Sequence, residues 1–110
     1  MKRPAKPSKF LNKKTVVDGI EFDSLKESRR YGQLRLLERA GEITNLEVHP
    51  KYVLSVNDVR IGTYAPDFRY QRSGQVVCED VKSKPTITEM FRWKAKHLKA
   101  EHGITVEVVL

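Results

Sequence analysis

Asp67, Asp80 and Lys82 are the residues whose types and spacing point to chemistry. They stand in "APDF" (65–68) and "CEDVKSK" (78–84). Side chains alternate along a strand, so Asp80 and Lys82 share one face with Cys78 and Val76, while Glu79 shares the other with Val77 and Val81. "QRSG" (71–74) reads as a short turn between two strand-like runs. The midpoint of positions 67 and 80 falls between Ser73 and Gly74, inside that turn. Asp67 and Asp80 are therefore candidate cross-strand neighbours, with Cβ atoms about 4.5–5.5 Å apart. Two carboxylates so placed repel, and partial burial worsens the repulsion. A hard divalent cation such as Mg²⁺ resolves the conflict, because it takes carboxylate, water and phosphate oxygens. Lys82 would add a point charge beside it. An acid–acid–lysine group of this kind suits phosphodiester hydrolysis, in which the metal generates hydroxide and the cations neutralise charge developing on phosphorus. The competing reading is a solvated strand end with a weak Asp80–Lys82 ion pair.

These residues need a hairpin and flanking elements to hold them. "TVVDGIEFDS" alternates weakly around Asp18-Gly19 and reads as a short hairpin. A helix is expected from Leu25 to Ala40. Ser24 and Glu27 have capping-box spacing, and Gly41 is suited to terminate it. Tyr31, Leu34 and Leu37 follow Glu27 at helical spacing, with Leu25 and Leu36 on a second flank. Glu27 thus reads either as a cap for the Ser24 amide or as an acid set on an apolar stripe. "ITNLEVHPKYVLSV" holds one or two strands, broken or bent at Pro50, and Asn57-Asp58 is a turn. "VRIGTYAPDFRY" and "GQVVCEDVK" read as the two strands of the Asp67–Asp80 hairpin. A second helix is expected from about Ile87 to His102, capped by Thr86 with Glu89 and ended by Gly103. Ile87, Phe91, Ala95 and Leu98 lie on one face of it, and Arg92, Lys96 and Lys99 form a cationic face. "ITVEVVL" closes the chain as a strand.

The 110 residues suit one domain with a modest core, over 15–110, preceded by a basic arm at 1–14 that reads as mobile. That arm either tracks phosphates or stays free. Lys and Arg number 21 against 14 Asp and Glu, and the resulting net charge of +7 favours a polyanionic partner such as nucleic acid. One cysteine excludes an internal disulfide and suits a reducing, intracellular compartment. No apolar run approaches the ~20 residues that a membrane span requires, and the basic N-terminus lacks the apolar segment of a secretory signal. His49, His97 and His102 share no metal-ligand spacing and read as ordinary surface or packing residues. Cys78 reads as core, and Trp93 as packed beneath the cationic face rather than stacked on a base.

Pro66-Asp67, then Asp80-Val81-Lys82, then a helix and a strand, with Glu27 on a helix upstream, resembles the PD-(D/E)XK nuclease superfamily. The likeness covers roughly residues 20–110. "FDSLKESRRYGQL", "YAPDFRY" and "EDVKSK" are similar to small phage and prophage proteins of that superfamily, some compared with Holliday-junction resolvases. The resemblance implies an α/β (α+β) fold with an αβββαβ core, a mixed central sheet flanked by helices. It implies Mg²⁺, with Mn²⁺ able to substitute, held by Asp67, Asp80, the Val81 carbonyl and Glu27. Catalysis would fall to Glu27, Asp67, Asp80 and Lys82, and DNA contact to Arg92, Lys96, Lys99 and Lys84. Ser83 stands where a glycine is common in relatives. Glu79 competes with Asp80 as the motif acid, but alternation favours Asp80, and Glu79→Gln is expected to retain most activity.

Two functions of different class follow. One is a Mg²⁺-dependent DNA endonuclease for branched or structured DNA in phage DNA metabolism, working in a host cytoplasm if phage-encoded. Its cutting of branched DNA would be compatible with a homodimer. The other is a non-catalytic nucleic-acid-binding module, or a subunit of a recombination complex, on the same fold. The set of acids and lysine favours the first. No helix-turn-helix, zinc or RNA-recognition signature is present, so contacts to phosphates and DNA shape are expected.

Overall fold

A computed structural model describes residues 14–110, so the basic arm read over 1–14 lies outside the described residues apart from Lys14. β1 (Thr15–Val17) and β2 (Ile20–Phe22) form the expected hairpin around Asp18-Gly19. α1 spans Leu25–Arg39. The Ser24 hydroxyl accepts from the Glu27 N–H at 3.1 Å, which satisfies one of the free amides of the first turn. At the other end Gly41, with φ 79°, lets the Glu42 N–H reach the Leu37 carbonyl at 3.0 Å. That bond is the mark of a Schellman terminus. Tyr31 and Leu34 are buried, whereas Leu37 is partly exposed, so the inward stripe is shorter than the periodicity suggests.

β3 (Thr44–Val48) and β4 (Tyr52–Val56) are separated at Pro50 as expected, and Asn57-Asp58, both left-handed, turn the chain into β5 (Val59–Tyr64). The stretch read as one strand, "VRIGTYAPDFRY", is two. β5 pairs with β4, and β6 (Phe68–Arg72) lies in a different sheet. The break falls at Ala65-Pro66-Asp67, where a buried proline has no N–H to give a ladder. β7 (Gln75–Val81) pairs with β6 through a turn at Ser73-Gly74, both left-handed. A single 3₁₀ turn, Lys84–Thr86, leads to α2 (Glu89–His102) and β8 (Val106–Val109). α2 starts two residues later than expected. Its cap is Thr88, whose hydroxyl accepts from the Phe91 N–H at 3.1 Å. The Thr86 side chain is instead used within the 3₁₀ turn, accepting from the Ser83 N–H at 2.9 Å. Gly103, left-handed at φ 73°, ends α2.

The fold is mixed α+β, with a central mixed sheet and two helices. The sheet order is β3-β6-β7-β8, antiparallel except for the parallel β7–β8 pair. Alternation along β6 and β7 divides the core. Phe68, Tyr70 and Val77 pack with Phe22, Tyr31, Leu34 and Ile43 on the α1 side. On the other side Leu54 and Tyr64 of the β4–β5 hairpin pack with Phe91 and Leu98 of α2. Among the described residues no helix is long and apolar enough to cross a membrane.

Glu79 points away from Asp80, as alternation requires, but it is not a spectator. It is 1% exposed and forms a two-pronged pair with Arg30 of α1, at 2.8 and 2.7 Å. The Tyr70 hydroxyl donates to the same carboxylate. This pins α1 to the middle of the sheet. Glu79→Gln leaves the partly exposed Arg30 without its counter-charge and one hydrogen bond short, so it is expected to lower unfolding free energy by about 1–2 kcal/mol. Chemical denaturation measures this. A loss no larger than that of a surface substitution would show that the pair does not anchor the helix.

Candidate functional site

The site forms where the β6–β7 ladder stops. The last paired residues are Phe68 and Glu79, and the same register places Asp67 opposite Asp80, as the turn position predicts. Beyond the ladder each strand's acid takes up the other strand's backbone. The Asp67 N–H donates to Asp80 Oδ1 at 3.2 Å, and the Val81 N–H donates to Asp67 Oδ2 at 2.7 Å. Tyr64, from the end of β5, donates its hydroxyl to Asp80 Oδ2. Asp80 is 4% exposed. Burial and this bond both raise the Tyr64 hydroxyl far above the ordinary tyrosine range, so it stays a donor.

Lys82 is on the Asp80 side of the strand. Its N–H is held by the Val109 carbonyl at 2.9 Å, and its Nζ lies 4.5 Å from the centre of the Phe91 ring. An ammonium over an aromatic face is attracted by the ring quadrupole, which fixes where the charge points. Lys26 of α1 donates to the Lys82 carbonyl at 2.9 Å, tying the helix start to the same strand end.

Glu27 reaches the site from the first turn of α1. Its side chain is 14% exposed and its Oε1 is buried without a hydrogen-bond partner. Burial, then the nearby Asp23 and Asp80 carboxylates, push its pKa up, opposed by Lys82 and Ser24. The cap at this end is the Ser24 hydroxyl accepting from the Glu27 N–H, and the Glu27 carboxylate turns to the acids instead. The residue that sequence reasoning missed is His49. Its Nε2 lies 4.0 Å from Glu27 Oε1, and its N–H donates to the Asp67 carbonyl at 2.9 Å. One ligand atom from each of Glu27, His49 and Asp67 falls within 4.8 Å of the others, and Asp80 stands outside this group. The register explains the meeting. β3 pairs with β6 through Val48 and Phe68, so the next position sets His49 beside Asp67, as Asp80 is on the opposite side. The signal was invisible because β4 and β5 intervene between the paired strands.

The other expected site residues lie outside this cluster. Arg92, Lys96 and Lys99 are exposed on α2, along a shallow groove shared with Val106 and Val108 of β8. Lys84 is exposed in the 3₁₀ turn. Val81 enters through its amide. Trp93 is 47% exposed rather than packed beneath the cationic face, and Cys78 is buried as expected. His97 and His102 bond the Ser55 and Val53 carbonyls at 3.0 and 3.1 Å, fastening the β4–β5 hairpin to α2.

The donors fit a divalent cation. They are mostly hard carboxylate oxygens, one of them a buried atom with no partner, and their charges are poorly compensated. Asp67 records the strain. Burial above all, with Asp80 and Glu27 nearby, pushes its pKa up to about 8, although the Val81 N–H opposes this. An acid raised in this way keeps its proton in the folded chain after the unfolded chain has released it. Stability should then fall as pH rises from the ordinary value of 3.8 to about 8. In chelator, Asp67→Asn should gain stability over the wild type by a margin that widens from about pH 5 to about pH 8. Denaturant midpoints across that range test it. A margin that stays constant or narrows would show that Asp67 is not raised.

A family model described as "Protein of unknown function (DUF1064)" matches residues 7–107. Neither a curated protein nor a solved structure matches the chain. The match spans every site residue described above, and by it the chain belongs to the DUF1064 family.

Proposed function

We propose that this protein is a divalent-metal-dependent DNA endonuclease of the PD-(D/E)XK type. The observation that carries the reading is the pairing of Asp67 with Asp80 at the end of the β6–β7 hairpin, with Lys82 on the same face and Glu27 reaching Asp67 from α1. The order α1-β3-β6-β7-α2-β8, read without the two outlying hairpins, is that of an αβββαβ core and supports it. Mg²⁺ would be held by Asp67, Asp80, Glu27 and the Val81 carbonyl, with Mn²⁺ as a substitute. Bound there, the cation would supply Lewis acidity toward a phosphate oxygen and lower the pKa of a water.

The chain's own residues do the rest. Tyr64 and the Asp67 amide fix the Asp80 carboxylate, so its orientation is set before any ligand arrives. Lys82, steered by Phe91, presents a positive charge to a phosphate at the same face. Arg92, Lys96 and Lys99 offer a cationic track along α2 for the flanking backbone. Branched or structured DNA, as met in phage DNA metabolism, is the proposed substrate, and a dimer would supply two cutting sites. The exposed cationic helix by itself favours a second reading, a binding module without catalysis.

Asp80→Asn and Lys82→Ala separate these readings. Each is expected to abolish detectable cleavage of linear, flapped and four-way DNA in Mg²⁺. For Lys82→Ala the fall should be about 10²-fold or more. Asp80→Asn keeps the shape and the bond from the Asp67 amide, and Tyr64 can turn its hydroxyl to accept from the new amide, so its melting temperature should stay close to the wild type's. Unaltered cleavage in both variants would remove the site assignment, and no cleavage by the wild type with any divalent metal would favour the binding module.

DNA affinity should fall steeply with salt, because neutralised phosphates release counterions. Reversing the charges of Arg92 and Lys96 should weaken binding across sequences and reduce the slope of log K against log salt by about 2. Reversing two lysines of the N-terminal segment should do less. Fluorescence anisotropy titrations over a salt series decide between them, and equal effects would show that α2 is not the main track.

A further inference from the structure

We propose that His49 is a metal ligand and that its nitrogen gives the site a preference for first-row transition dications, Mn²⁺ and Co²⁺, over Mg²⁺. The inference rests on the reading that the cluster holds a divalent cation, but not on cleavage of DNA. The imidazole is exposed, its side chain 42% accessible, and Nε2 lies 4.0 Å from the buried, partnerless Glu27 Oε1. With Asp67 it completes a set of two oxygens and one nitrogen, all within 4.8 Å.

The backbone is committed to this placement. His49 has φ 54°, a left-handed conformation uncommon outside glycine, and it precedes Pro50, a position that favours extended backbone. Its N–H is tied to the carbonyl of Asp67, the residue whose side chain it joins. Strained backbone held by surrounding structure is common at ligand sites. Here it turns the ring at the end of β3 toward the acids rather than along the strand.

The donor chemistry sets the selectivity. Mg²⁺ loses its water reluctantly and takes oxygen ligands. Transition dications accept imidazole nitrogen, with affinity rising from Mn²⁺ to Co²⁺. A cluster of carboxylates alone would have a weaker bias of this kind. His49 is the element that tilts the site, and its replacement by an oxygen donor should reverse the tilt.

The test uses the full chain without DNA. Calorimetric titration with Mn²⁺, Co²⁺ and Mg²⁺ should show His49→Asn losing about tenfold or more in Mn²⁺ and Co²⁺ affinity, with Mg²⁺ affinity held or raised. Asparagine tolerates the left-handed backbone, so this variant should keep the fold. Pulsed electron paramagnetic resonance of Mn²⁺ on the wild type should show coupling to a ligand nitrogen that His49→Asn lacks. Absence of that coupling, an unchanged ratio of Mn²⁺ to Mg²⁺ affinity in the variant, or no metal binding by the wild type would each overturn the proposal. Nitrogen coupling without cleavage on any DNA would leave His49 as a ligand and remove the nuclease. Cleavage in Mg²⁺ without nitrogen coupling would do the reverse.

Discussion

The structure turns on two acids that finish each other's strands. A hairpin normally ends its ladder in water or in a neighbouring strand. Here the Asp67 amide is satisfied by Asp80 and the Val81 amide by Asp67. The bonds fix both carboxyl groups side by side, and burial together with that proximity is what raises Asp67. Everything near the site either tolerates that proximity or serves it. Tyr64 takes one Asp80 oxygen, Lys82 stands on the same face, and Glu27 adds a third acid instead of relieving the other two.

Neighbouring acids on one strand meet opposite fates. Glu79 and Asp80 are adjacent and both buried, yet strand alternation sends them to different sides of the sheet. Glu79 meets the guanidinium of Arg30, whose planar fork matches a carboxylate, and the charge is closed off. Asp80 meets a phenol and an amide, which hold it without neutralising it. The first arrangement is what a helix anchor needs. The second holds the carboxyl group by a phenol and an amide alone, and under the proposed function that is where a cation would bind.

Local signals were legible where turn chemistry and alternation set the geometry. Ser73-Gly74 fixes the β6–β7 register, so the Asp67–Asp80 meeting could be read from position numbers. The helices and the breaks at Pro50 and Asn57-Asp58 were legible for the same reason. Two kinds of feature were not. Thr86 and Thr88 both have capping chemistry, and only the 3₁₀ turn, which uses the Thr86 side chain, decides between them. The β3–β6 pairing skips a whole hairpin, and no local pattern announces it. His49 became a member of the site only through that pairing, and the insert hid the split between β5 and β6.

That hairpin also ties the cationic helix to the surroundings of Asp80. Tyr64, the last residue of β5, touches Asp80 with its hydroxyl and lies edge-on to Phe91 of α2, with ring centres 6.4 Å apart. The same Phe91 ring lies beneath the Lys82 ammonium. One aromatic side chain thus contacts both groups that border Asp80, and Arg92 follows it directly in the chain. His97, Glu101 and His102 fasten the far end of the hairpin to α2 through Ser55 and Val53. The helix cannot shift without disturbing Tyr64 or Lys82, so the position of its exposed charges is coupled to the geometry of the acids. A surface that only attracted polyanions would need no such coupling. The proposed nuclease, which must place one phosphate against fixed carboxylates, would.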